Sequence, residues 1–235
     1  MKKPAAILLV LPIWLWAADS WQSKPFTEWS DKEVRKVLTN SPWARVVSIA
    51  WGGRAATASG GETGSRPQGA DPSTGPGIMV PPGAPVSRPA NGQPMNGGQT
   101  LRLTIRWQSA LPVKQALVRV KYGTEAATSP EAKNFLDQEK STYVIAMSGL
   151  PAVLAMKETL KQQTGLSANG KDRLQPSDIV LAPQGELVDA YFVFPKSQPF
   201  TLDDKDVEFS TKLGGVSVKY TFHLKEMVYN GELAL

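Results

Sequence analysis

A Gly- and Pro-rich stretch at positions 52–99 is the feature that most limits how this chain can fold. Its 48 residues include twelve glycines, eight prolines and only five large apolar side chains. A segment of this composition cannot bury enough apolar surface to offset the entropy that it loses on ordering. We therefore predict a disordered linker at 52–99, an N-terminal helical docking segment at 18–51 and a folded domain at 100–235.

The first residues have the organisation of a secretory signal peptide. Lys2 begins a short basic region, Ala5–Trp16 is apolar, and Ala17 is small enough for a cleavage site. A membrane-spanning helix needs about 20 apolar residues, and Asp19 ends this run too early. We predict that 1–17 directs export to the periplasm or the exterior, and an uncleaved anchor is the alternative.

The composition excludes several classes of site. The chain contains no cysteine, which removes disulfides, zinc–thiolate sites, cysteine nucleophiles and a lipid-modified cysteine. The formal net charge is +5, yet 100–235 carries 16 basic against 15 acidic residues. Without a basic patch on the folded domain, we expect no nucleic-acid binding.

The domain at 100–235 mixes strands with helices and then continues as strands alone. Alternation predicts a strand at 101–107, and apolar residues at helical spacing predict a helix at 109–123, although part of it also alternates. Further helices are predicted at 129–139 and 151–165. The remaining predicted strands are 141–149, 177–182, 186–194, 206–212, 216–224 and 227–235. This order indicates an α+β fold, a mostly antiparallel sheet with about three helices on one face.

A short helix with complete start and stop signals precedes the linker. Ser30 and Glu33 have the spacing of a capping box, and Pro42 ends the segment. A helix of about nine residues is not stable alone in water, so it must dock on a surface. Its predicted anchors are Trp29, Val34, Leu38 and Trp43. The surface could belong to this chain or to another molecule, and the reach of the linker favours this chain.

One cluster of positive charge adjoins an aromatic residue at the start of the domain. Arg102 and Arg106 lie on one face of the predicted strand, with Trp107 beside them, and could bind a carboxylate or phosphate. Alternatively, the two arginines pair with the acidic run Asp203–Glu208 on a neighbouring strand. The second interpretation is favoured because opposite charges commonly pair across exposed sheet faces.

Residues that would support catalysis are few. The single histidine, His223, falls on the predicted solvent face of its strand. Ser148 lacks the glycine frame of a nucleophile elbow. The acidic run Asp203–Glu208 lacks the spacing of a calcium loop and is interpreted as a solvated turn before a strand. We predict no metal site and no cofactor.

Three stretches carry a resemblance to a known family: KPFTEWSDKEVRKVLTNSPWA, LTIRWQSALPVKQAL and VEFSTKLGGVSVKYTFHLKEMVYNGELAL. Together they resemble uncharacterised exported proteins that are common in acidobacterial genomes. Some of those exported proteins appear near proteins of the GWxTD-domain type. The Gly-Trp-x-Thr-Asp motif itself is absent from this chain. The resemblance implies export and a shared fold, and it brings no activity and no catalytic residues.

These features favour an exported, non-catalytic protein that binds a partner protein, a peptide or an envelope component, without stable membrane insertion after signal cleavage. The alternative is a periplasmic hydrolase that uses carboxylates such as Asp178, Glu186 or Asp189 together with an arginine. Two carboxylates in one concave pocket would favour the hydrolase.

Overall fold

The computed structural model describes residues 20–51, 99–137 and 141–235. The predicted signal peptide lies outside these residues, as does the predicted linker apart from Gln99. The α-helices in the described ranges are α1 Asp31–Thr39, α2 Leu111–Tyr122, α3 Pro130–Asp137 and α4 Lys157–Gln163. The strands are β1 Asn40–Ser41, β2 Ala44–Trp51, β3 Gln99–Trp107, β4 Thr142–Pro151, β5 Gly165–Ala168, β6 Asp178–Gln184, β7 Leu187–Pro195, β8 Asp206–Leu213, β9 Val216–His223, β10 Val228–Tyr229 and β11 Glu232–Leu233.

The fold is α+β, as the sequence predicts, and every described strand pair is antiparallel. Six strands form the main sheet in the order β1-β2-β3-β4-β7-β6. Strands β5, β8 and β9 form a second sheet in the order β5-β8-β9, and β10 and β11 form a small hairpin.

The segment before the linker contributes a strand to the main sheet. All eight residues of β2 have partners on β3, in a register that runs from Ala44 opposite Arg106 to Trp51 opposite Gln99. The sequence predicts only a helix in this segment, so β2 is an addition to that prediction. Residues 52–98 therefore connect two neighbouring strands of one sheet.

The predicted helix at 151–165 is wrong at both ends. Strand β4 continues through Pro151, which lies opposite Leu187, and a short 3-10 turn follows at Ala152–Leu154. The helix α4 begins only at Lys157. Gly165 does not end the helix as predicted. It is the first residue of β5, because Gly165–Ala168 pairs with β8. The predicted helices at 109–123 and 129–139 correspond to α2 and α3.

The core lies between the two larger sheets. The ring of Trp107 on β3 contacts that of Phe222 on β9, with centroids 5.0 Å apart. Phe192 on β7 meets Phe209 on β8 in the same way, at 5.4 Å. Edge-to-face contacts of this kind add to the burial of apolar area.

A second aromatic cluster holds the N-terminal segment. Trp21, Trp29 and Trp43 are fully buried. The Trp21 ring lies 5.4 Å from that of Trp29 and 6.1 Å from that of Tyr229, near the C-terminal end. The indole N–H of Trp43 donates to the carbonyl oxygen of Ala234 at 2.7 Å. The N-terminal segment thus docks on its own domain, which is the alternative that the sequence favours.

Candidate functional site

Helix α1 is fixed at its start by the predicted capping box. The backbone N–H of Ser30 donates to a carboxylate oxygen of Glu33 at 2.8 Å, and the N–H of Glu33 donates to Ser30 Oγ at 3.4 Å. Lys24 adds an ion pair to the same carboxylate at 2.8 Å. Val34 and Val37 are buried beneath the helix. The first turn is therefore held in place, and the face of α1 that carries Arg35 looks outward.

A cleft of about 560 Å³ lies between α1 and the C-terminal turn of α2, with β3 at its base. The cleft is lined by Asp31, Val34, Arg35, Leu38, Thr39, Arg106, Arg119, Val120 and Gly123. Two of the four predicted docking anchors, Val34 and Leu38, thus form part of a concave surface. The other two, Trp29 and Trp43, are fully buried in the aromatic cluster.

The apolar side of the cleft is partly open to solvent. Val120 is 65% exposed, although its spacing with Val113 and Ala116 places it on the predicted core stripe of α2. Val113 and Ala116 are fully buried. Leu38 is half-buried on the opposite wall. An apolar side chain left open inside a concave surface is a common feature of binding sites.

Arg106 lies at the base of the cleft. Its Nε donates to the side-chain oxygen of Gln108 at 2.8 Å, and Nη1 lies 3.4 Å from the carbonyl oxygen of Leu38. Burial lowers the pKa of the Arg106 guanidinium, and the negative charge of Asp189, together with that of Tyr191 once it ionises, offsets part of that shift. The guanidinium stays protonated at neutral pH, so a partly desolvated positive charge faces the cleft.

Arg119 ties the two helices together at the other end of the cleft. One Nη donates to the carbonyl oxygen of Trp29 at 3.1 Å, just before α1, and the other donates to that of Gly123. Gly123 follows α2 with a φ of 55°, which is a conformation that favours glycine. The cleft width is therefore set by a side chain that joins the end of α2 to the start of α1.

The structure separates the three residues of the predicted anion site. Arg106 lies in the cleft, whereas Arg102 is exposed elsewhere on β3. Trp107 is fully buried between the sheets, and its indole N–H has no hydrogen-bond partner in the described part of the chain. Trp107 is thus a core residue, and only Arg106 of the three belongs to the cleft.

The predicted pairing of the arginines with the acidic run is not found. The acidic run belongs to β8 and the turn before it, in the second sheet. Its carboxylates contact nearby nitrogen-bearing side chains: Asp204 contacts Lys171 at 2.6 Å, Asp206 contacts His223 at 2.6 Å and Glu208 contacts Lys219 at 3.1 Å. The interpretation of this run as a turn followed by a strand is confirmed, and so is the solvent-facing position of His223.

The three carboxylates of the predicted hydrolase are spread along the β6–β7 hairpin. Asp178 begins β6, Asp189 lies opposite Ala182, and Glu186 lies in the turn. Asp178 and Gln184, at the two ends of β6, are six positions apart, which corresponds to about 20 Å at the usual rise of a strand. The hydrogen bond from Lys157 also lowers the pKa of Asp178, which is exposed. No two of these three carboxylates line one of the described cavities. A cavity of about 510 Å³ is lined by four other carboxylates, those of Asp203, Asp204, Asp206 and Glu208, but no arginine lines it, so the predicted combination of carboxylates with an arginine is not found there.

Across residues 20–51, 99–137 and 141–235, no group of three or more His, Asp or Glu side chains could hold a metal ion. Within the same ranges, no helix has the length and apolar character needed to cross a membrane.

The chain matches no protein-family model, no curated protein and no solved structure. The resemblance to exported acidobacterial proteins therefore stays a prediction.

Proposed function

We propose that this chain is an exported, non-catalytic binding protein that holds a peptide, or a peptide segment of a partner protein, in the cleft between α1 and α2. The observation that carries the proposal is the open apolar wall of that cleft, where Val120 is 65% exposed beside the half-buried Leu38. A ligand that covers this wall removes apolar surface from water, which makes the free energy of binding more favourable.

The dimensions of the cleft support a peptide ligand. Its volume of about 560 Å³ lies in the usual range of ligand sites. Helix α1 has nine residues and is about 13 Å long, which matches about four residues of extended chain. Both walls are helices fixed by Arg119 and by the capping box, so little order needs to be gained on binding.

The positions of the titratable groups support a non-catalytic role. Glycoside hydrolysis commonly uses two carboxylates on one substrate, and Asp178, Glu186 and Asp189 are spread along a hairpin. The cleft itself contains one carboxylate, Asp31, and no histidine. Export is supported by the basic and apolar pattern of 1–17 alone.

A displayed library of random twelve-residue peptides, panned against residues 18–235, tests the proposal. The decisive variant is Val120→Gln, which replaces an open apolar wall with a neutral polar one. The matched control is Val153→Gln, because Val153 is 80% exposed and lies outside the cleft. Both exposed substitutions should change the free energy of unfolding by less than about 0.5 kcal/mol.

We expect enriched peptides that bind the unmodified protein and the Val153→Gln variant equally. The Val120→Gln variant should bind them at least about tenfold more weakly. Failure to enrich any sequence would overturn the proposal. Peptides retained equally by both variants would also overturn it, because the ligand site would then lie elsewhere.

A further inference from the structure

Three arginines surround the cleft without an ion pair in the described part of the chain, although the charge of Asp189 acts on one of them, Arg106. Within the described ranges, neither Arg35, Arg106 nor Arg119 forms an ion pair with an Asp or Glu. The hydrogen bonds of Arg106 and Arg119 all go to neutral oxygens. Arg35 is exposed on the wall formed by α1.

The cleft therefore has an excess of positive charge. Asp31 is its single acidic residue, set against three guanidinium groups. Elsewhere on the described surface, lysines and carboxylates pair closely, as Lys171 does with Asp204 at 2.6 Å and Lys157 with Asp178 at 2.8 Å. Unpaired positive charge concentrated beside an apolar wall favours an occupant that brings both apolar groups and negative charge.

We propose that the ligand of this cleft is an acidic peptide segment, whose apolar side chain packs against Leu38 and Val120 and whose carboxylates pair with Arg35 and Arg106. This inference rests on the proposed function and names the chemistry of its ligand. A guanidinium presents a planar fork of donors that matches a carboxylate, so two hydrogen bonds can form at once.

Arg106 provides the stronger of the two contacts. Burial lowers its pKa, which reflects the cost of holding a charge away from water, and the charge of Asp189 offsets only part of that cost. A carboxylate at the base of the cleft would offset that cost through a charge-assisted hydrogen bond. Arg35 is exposed, so its attraction is weaker and falls more steeply with salt.

The peptides enriched by panning provide the test. Each is synthesised with a fluorescent label in two forms, the selected sequence and a form in which every Asp and Glu is replaced by Asn and Gln. Fluorescence anisotropy then gives their dissociation constants for the unmodified protein and for the Arg35→Gln and Arg106→Gln variants. Arg102→Gln is the matched control, since Arg102 is exposed on the same strand as Arg106 but lies outside the cleft.

We expect the enriched sequences to be rich in Asp and Glu and to bind at least about tenfold more tightly than their neutral forms. Arg106→Gln should weaken binding of the acidic peptides about tenfold, and Arg35→Gln should weaken it about twofold to threefold. Arg102→Gln should leave their dissociation constants unchanged. Neither Arg35→Gln nor Arg106→Gln should change the affinity for the neutral forms. Because Arg106 is partly buried, its replacement can also disturb the fold. A disturbed fold would weaken binding of the neutral peptides as well, whereas lost pairing weakens only the acidic ones. Arg35→Gln tests the pairing at an exposed residue.

Enriched peptides without an excess of acidic residues, or equal binding of the acidic and neutral forms, would overturn the charge inference and leave the proposed function intact. Absence of any enriched peptide would instead overturn the proposed function. Phosphatidylglycerol vesicles that bind more tightly than every enriched peptide, and lose binding in the arginine variants, would overturn the assignment to a peptide.

Discussion

Trp51 and Gln99 are direct cross-strand partners at the end of the β2–β3 pair, although the whole of 52–98 lies between them in the sequence. Their pairing makes the Gly- and Pro-rich stretch a connection between adjacent antiparallel strands. The N-terminal helix is consequently joined to the domain through a sheet, and its position does not depend on the length of that stretch.

Replacement of 52–98 by Asn-Gly should therefore leave the fold intact. Two residues between direct cross-strand partners form a standard hairpin turn, and Asn-Gly favours the required conformation. The shorter connection loses less entropy on closure, so the free energy of unfolding should rise by about 2–3 kcal/mol. Urea unfolding of both chains measures the change, and loss of a cooperative transition would contradict the β2–β3 pairing.

Trp43 should be the most sensitive residue of the N-terminal aromatic cluster. It is fully buried and donates to the carbonyl oxygen of Ala234 at 2.7 Å. Trp43→Ala should lower the free energy of unfolding by about 3–5 kcal/mol through loss of packing. Trp43→Phe keeps a ring and loses the hydrogen bond, so it should cost less than the alanine variant. Equal, small losses in chemical denaturation would show that the segment is not docked through Trp43.

Gly149 should tolerate alanine less well than Gly185. Both glycines have positive φ, 86° and 67°, where a side chain is strained. A Cβ at Gly149 would also lie 2.9 Å from the carbonyl oxygen of Arg102, whereas one at Gly185 would meet nothing within 4 Å. Gly149→Ala should be about 1–3 kcal/mol less stable than Gly185→Ala. Thermal melting of the pair measures the difference, and equal melting temperatures would exclude the close approach.

Asp204 should contribute to the loss of stability in acid. Burial raises the pKa of Asp204, but hydrogen bonds from Lys171 and the Thr201 backbone outweigh it, so the net shift is downward. A lowered native pKa means that the stabilisation is complete above the unfolded value of about 4 and is lost as the pH falls toward the native value. Asp204→Asn should therefore lower stability at pH 7 and flatten the decline below about pH 5.

The neighbouring Asp203 provides the control for that experiment, because it is exposed. Asp203→Asn removes a carboxylate from the same turn and leaves the Lys171–Asp204 ion pair in place, so it should lower the stability at pH 7 less than Asp204→Asn does. A parallel acid decline in the unmodified protein and in Asp204→Asn would show that the Lys171 ion pair does not carry the effect.

Local signals predicted α1 well because its capping box involves residues only three positions apart. Strand β2 was not predicted, since its partner β3 lies beyond 52–98 and no local signal specifies such a pairing. The helix predicted from Pro151 failed for a related reason. Its backbone is held in the sheet opposite Leu187, and this tertiary pairing overrides local helix preference.

The candidate site was predicted only in pieces. Arg106 and Leu38 were both identified from the sequence, one as an anion contact and one as a docking anchor, without any indication that they line one cleft. Helical spacing placed Val120 on the core stripe of α2, but the stripe extends further than the surface available to cover it, which leaves this residue 65% exposed. Packing between elements, and not periodicity, determines where such a site forms.

The hairpin arrangement of β2 and β3 also means that a chain cut between 52 and 98 would become two complementary fragments held together by the sheet. The N-terminal fragment would carry α1 and β2, and the other would supply α2 and the base of the cleft. Dissociation of the fragments would dismantle the cleft, so one proteolytic event would make ligand binding depend on protein concentration.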